Sequence, residues 1–244
     1  MQAHLIVTSL DEKEWQGCLQ RLDYHTQRAR VCGRKIYSHA AISFTNVDDS
    51  LARRAMRYNV SRSSAHGFRE IIFEMIQQPK PDGTIGFSTL NDSDGWYSQW
   101  SNPIVYYYEI DPKKIQPMTL FLMCEMIAKS GLTYDWDWAV QAAYCPFLPC
   151  GACKCNCNSR TQLTTNCVGA VAICLAAAIH PDALHDRRKV REILNLWRPH
   201  PELYFPSEML TQLLDAELIR DTPCRELNLR ISKSAPFPPL LIRA

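Results

Sequence analysis

Cys167, His39 and Glu74 combine the residue types that share the work in thiol-dependent acyl chemistry. Residues 168–179 (VGAVAICLAAAI) read as a helix that is apolar on every face, so Cys167, behind Asn166, stands at a helix N-terminus. The positive end of the helix dipole and its unpaired backbone N–H groups favour a thiolate there and can form an oxyanion hole. Such a nucleophile needs an imidazole to share its proton, and the imidazole needs an acceptor to fix its orientation. His39 lies within residues 36–44 (IYSHAAISF) and Glu74 within residues 68–76 (FREIIFEMI), two runs whose β-branched and aromatic content predicts strands. Each residue also has a plainer reading: a core cysteine, a core histidine, and a glutamate on the solvent side of its strand.

The elements that must position this set follow from the hydrophobic pattern. Residues 3–8 (AHLIVT) read as a strand, and Asp11 then caps a helix carrying Trp15, Cys18, Leu19 and Leu22. A basic connector with Arg28, Arg30, Arg34 and Lys35 leads to the histidine strand, and residues 48–57 predict a short basic helix. Asp82-Gly83 and the NDSDG run starting at Asn91 are turn chemistry, both expected at the surface. Residues 104–110 (IVYYYEI) are the clearest strand. Residues 115–129 read as a mostly buried helix closed by Gly131. Beyond Cys167 two further helices are expected, one carrying Val190, Ile193, Leu194 and Trp197, the other starting near Ser207 and carrying Leu210, Leu213, Leu214 and Leu218. The end of the sequence, PFPPLLIRA, reads as extended.

Composition bounds the partners. With 27 Lys+Arg against 25 Asp+Glu the net charge is +2, which argues against nucleic acid as a partner, and 46% hydrophobic residues require a real core. The arginines at 53, 54, 57 and 62 and the group Arg187, Arg188, Lys189 and Arg191 read as solvated faces. The opening MQAHLIVTSLDEKEW turns acidic too early for a signal peptide, and no apolar run reaches transmembrane length, so no transmembrane segment is expected. Eleven cysteines without a secretory signal are expected to be reduced, catalytic or metal-bound, which implies an intracellular, cytoplasmic setting.

The order of these pieces resembles the circularly permuted branch of the papain-like, NlpC-type superfamily, which includes lecithin:retinol acyltransferase-like enzymes and related poxvirus proteins. The resemblance runs from His39 in SHAAISF through Glu74 in IIFEMI and the strand IVYYYEI to the helix after it. It continues with Gly131-Leu132-Thr133-Tyr134-Asp135, similar to a Gly-x-x-Tyr-Asp element, and ends with Asn166-Cys167 and the apolar helix. It covers residues 36–179. Histidine precedes cysteine, the reverse of papain order. The resemblance implies an α+β papain-like domain, with an antiparallel sheet packed on a central Cys-bearing helix. It implies Cys167 as nucleophile, His39 as general base and acid, Glu74 as the orienting third member, and Tyr134 lining the site. A single domain over residues 1–244 is expected, with a cysteine-rich insertion at 145–166 and a helical extension at 181–244.

The insertion is where the chain departs from the pattern. Cys145 lies nearer the Tyr-Asp element and is the rival nucleophile, but Pro146 and Pro149 prevent it from heading a long regular helix. Cys150 and Cys153 have CxxC spacing, while Cys155 and Cys157 supply no second CxxC, so a structural zinc stays open and catalysis requires no cofactor. The function expected first is a cysteine-dependent hydrolase acting on an amide, isopeptide or thioester bond of a protein, peptide or acyl substrate. The alternatives are a lipid acyltransferase or phospholipase-like thiol enzyme and a non-catalytic scaffold on the same fold. Trp136 and Trp138 suggest an apolar substrate edge. The poxvirus likeness implies a viral origin, with virion association as the corresponding location.

Overall fold

The computed structural model describes residues 1–9, 35–55, 68–79, 85–93, 104–130, 133–134, 164–179 and 205–228. Among the described residues the chain is α+β, with eight strands in one sheet and four helices. Six longer strands form an antiparallel array: β1 (Gln2–Ser9), β2 (His39–Asp48), β3 (Phe68–Pro79), β4 (Ile85–Asp92), β5 (Ile104–Glu109) and β8 (Arg225–Asn228). Two short pieces, β6 (Thr133–Tyr134) and β7 (Thr164–Thr165), extend one edge and pair with each other in parallel. The sheet order is β7-β6-β4-β3-β2-β1-β5-β8. The helices are α1 (Asp49–Ala55), α2 (Pro117–Lys129), α3 (Cys167–Ala178) and α4 (Pro206–Asp215).

Successive side chains of a strand point to opposite faces, so a central strand with both faces covered must be apolar throughout rather than alternating. Strands β1 to β3 come close to that condition, with His39, Ser43 and Glu74 among their buried polar exceptions. Leu5, Val7, Ala40, Ile42, Phe44, Ile71, Phe73 and Met75 join one large core with residues of all four helices, while Ile6, Ala41 and Ile72 join Val105 and Tyr107 in a second cluster. Phe44 meets Phe121 of α2 edge-on, ring centroids 5.1 Å apart, which ties the histidine strand to that helix. Helix α3 is Ala-rich and buries nine residues, from Cys167 to Ala178. Its small side chains allow close approach to the sheet.

Three sequence expectations are corrected. Helix α2 is half-buried rather than mostly buried: Leu120, Phe121, Cys124 and Glu125 face inward, whereas Met118, Leu122 and Met126 are 49%, 39% and 61% exposed. Apolar residues on both sides of a helix hide which side faces the core. The NDSDG run is not wholly loop, because Asn91 and Asp92 belong to β4; Asp92 accepts from Arg69 of β3 at 2.7 Å, and that partner holds a turn-forming residue in the ladder. Leu218 lies beyond α4, past a helix end of Schellman type in which Glu217 N–H donates to Leu214 and Leu218 N–H to Leu213. Several readings fall outside the described residues: the helix after Asp11, the connector before Lys35, Asp82-Gly83, Gly131, Trp136 and Trp138, the cysteines from 145 to 157, the helix carrying Val190, and the PFPPLLIRA stretch.

Glu217 occupies that helix end with φ 54°, a left-handed conformation in which a Cβ is costly and glycine is not. Glu217→Gly is therefore expected to stabilise the fold by about 1 kcal/mol, measured by denaturant unfolding. A loss of stability would show that the exposed Glu217 carboxylate, 3.8 Å from Lys114, outweighs the backbone cost.

Candidate active site

The site begins with the local geometry of α3. Asn166 is the N-cap, its backbone extended at φ −112° and its Oδ1 accepting the Gly169 N–H at 2.7 Å. That bond satisfies one of the amides a helix start leaves without an intrahelical acceptor, and Cys167 follows as the first helical residue. Cys167 is 4% exposed.

Strand β2 delivers the histidine. Just before it, Ser38 N–H donates to the Thr8 carbonyl at 2.8 Å and Ser38 Oγ to the same oxygen at 3.2 Å, so the end of the strand is pinned to β1. Register then brings in the carboxylate. Ile42 pairs with Phe73, so Ala41 falls opposite Glu74, and His39, two residues from Ala41, shares its face with Glu74. His39 Nε2 and Glu74 Oε2 are 3.2 Å apart, and Glu74 is fully buried. The Cys167 thiol stands close enough to the ring for its charge to act on it.

Electrostatics follow from this order. Burial alone pulls the imidazole pKa down, but negative charge at Cys167 and the hydrogen bond to it, followed by the hydrogen bond and charge of Glu74, prevail and hold His39 up to about 10. As the imidazolium, the ring donates from Nε2 to the Glu74 carboxylate. A group whose folded pKa lies above its unfolded value stabilises the fold fully below about pH 6.5 and loses that contribution as pH rises through about 10. An NMR titration of the His39 ring is expected to show imidazolium at pH 8 and its loss near pH 10. Cys167→Ala removes the largest raising influence and should lower that midpoint. A wild-type ring titrating near 6.5 would exclude the assigned charge state.

The structure thus gathers Cys167, His39 and Glu74. The backbone of Tyr134 lies opposite Thr165, two residues before Cys167, while its side chain is outside the described residues. Cys145, the rival, is outside them too. The described cysteines are all unpaired: Cys124, Cys167 and Cys174 are buried and Cys224 is exposed. No cluster of metal-ligand type occurs among the described residues, and no described helix is long and apolar enough to cross a membrane. Sequence reasoning missed Asn91, whose Nδ2 donates to Glu74 Oε1 at 3.4 Å. Its local sequence, NDSDG, signals a turn and gives no sign of that contact. No protein-family model, curated protein or solved structure matches this chain.

Proposed function

We propose that this protein is a thiol hydrolase of the circularly permuted papain-like type, acting first on amide or isopeptide bonds of a peptide or protein. The observation that carries the reading is the continuous array at the start of α3, from the Cys167 thiol through the His39 imidazole to the buried Glu74 carboxylate. Chain order supports it as well, since the histidine strand precedes the cysteine helix.

The chemistry runs as two acyl transfers. The Cys167 thiolate attacks the acyl carbon, forming a C–S bond while the carbonyl electron pair moves onto oxygen, where first-turn backbone N–H groups of α3 stabilise it. His39 gives its proton to the leaving nitrogen, and the C–N bond breaks to leave a thioester on Cys167. Water then loses a proton to His39 and attacks the thioester; the thiolate departs and the acid is released. Glu74 stabilises the imidazolium and keeps its ring turned toward sulfur.

Profiling against chromogenic peptide amides, isopeptides, thioesters and esters tests the proposal. Turnover with an initial burst of leaving group on the activated esters and thioesters is expected, because acylation then outruns hydrolysis. Absence of turnover and of burst across all four classes would refute it.

A further inference from the structure

We propose that Asn91 is a positioning residue of this site, fixing the Glu74 carboxylate so that Oε2 stays directed at His39; the inference rests on the hydrolase reading above. Strand β4 pairs Thr89 directly with Glu74, so Asn91, two residues along the same strand, is its diagonal neighbour on that face. The side chains use that placement. Asn91 Nδ2 donates to Glu74 Oε1 at 3.4 Å while Glu74 Oε2 meets His39 Nε2 at 3.2 Å, so the two carboxylate oxygens are assigned different partners.

The orientation of the amide is determined by its other end. Thr89 Oγ1 donates to Asn91 Oδ1 at 3.3 Å, which turns the NH₂ group toward the carboxylate; the reverse orientation would set oxygen against oxygen. The strand beneath is anchored one residue on, where Asp92 accepts from Arg69, itself bound to Asp49 of α1. Thr89, Asn91, Glu74, His39 and Cys167 therefore form one chain of polar contacts across β4, β3, β2 and α3.

A donor to a buried carboxylate supports its ionised form. Without it, the Glu74 carboxylate is free to turn away from the ring and holds the imidazolium less firmly. An aspartate at position 91 would place a second carboxylate beside the first, so asparagine supplies what the site needs: a donor without charge.

The test measures the His39 titration midpoint by NMR and the rate at which iodoacetamide alkylates Cys167, in wild type, Asn91→Leu, Asn91→Gln, Thr89→Val and Glu74→Gln. Asn91→Leu is expected to lower the midpoint by roughly one pH unit and slow alkylation at neutral pH about tenfold, the scale of one hydrogen bond to a charged group. Asn91→Gln, which keeps the donor, should recover at least half of each effect, and Thr89→Val should move both readouts in the same direction by less. A wild-type midpoint in Asn91→Leu, beside a lowered one in Glu74→Gln, overturns the role of Asn91 alone. An unmoved midpoint in Glu74→Gln overturns the array itself. Should Asn91→Leu fail to fold, Thr89→Val decides: an unchanged midpoint and rate there overturn the proposal.

Discussion

Cys167→Ala is expected to lower turnover of any acyl substrate by about 10⁴-fold or more while the protein keeps its fold, because without the sulfur there is no covalent intermediate. The two halves of this expectation have separate physical causes. Cys167 is the first residue of α3, and what defines the helix start is the Asn166 cap on Gly169, which alanine leaves in place. Removing one sulfur at the edge of the core should change stability by about 1 kcal/mol, the size of an ordinary point mutation. Cys145→Ala, by contrast, should keep much of the activity, since a sequence with Pro146 and Pro149 after Cys145 does not predict a long regular helix headed by that residue. Circular dichroism with steady-state rates on the same preparations separates loss of chemistry from loss of fold. Wild-type turnover in Cys167→Ala would exclude this nucleophile.

His39→Ala is expected to be nearly as severe, costing about 10³-fold or more, and adding Cys167→Ala to it should cost little further, since residues acting as a unit are not additive. The imidazole is the link between thiol and carboxylate, and its removal also leaves Glu74 buried with one partner fewer. A loss of stability should accompany the loss of rate, on the scale of breaking a buried ion pair, about 3 kcal/mol. Glu74→Gln is milder, about a hundredfold, because the glutamine Oε1 can still accept from the ring and hold its orientation while no longer stabilising its charge. Steady-state rates of the single and double variants with matched denaturation curves check the ordering. Multiplicative losses in the double variant would show that Cys167 and His39 act separately.

Much of this arrangement is legible in the amino-acid order because the strands that carry it are apolar enough to leave few readings. Residues 3–8, 36–44, 68–76 and 104–110 announce β1, β2, β3 and β5, and an apolar run behind Asn166-Cys167 announces α3. Strand β8 gave no such notice: its sequence is RELN, and it joins the sheet through backbone pairing with β5. The outward face of α2 was hidden by Met118, Leu122 and Met126, which look like core residues and are exposed. Strand β2 runs on past Phe44 through a bulge in which Asn46 takes φ 55°, a conformation asparagine tolerates and pattern reading does not see.

The site divides the same way. Cys167, His39 and Glu74 could be singled out because a helix start and two strands each frame one of them. Their meeting depends on register: a slip of one residue between β2 and β3 would turn Glu74 to the face opposite His39. Asn91 could not be found by pattern, because its local sequence signals a turn and its role appears only when Glu74 lies beside it.

The most direct measurement of the central claim is the intact mass of the protein after brief exposure to an activated acyl thioester, followed by peptide mapping of the modified residue. The account predicts one acyl group on Cys167 that disappears with time in wild type, and no such modification in Cys167→Ala. Acylation confined to other cysteines, with Cys167 unmodified throughout turnover, would contradict it.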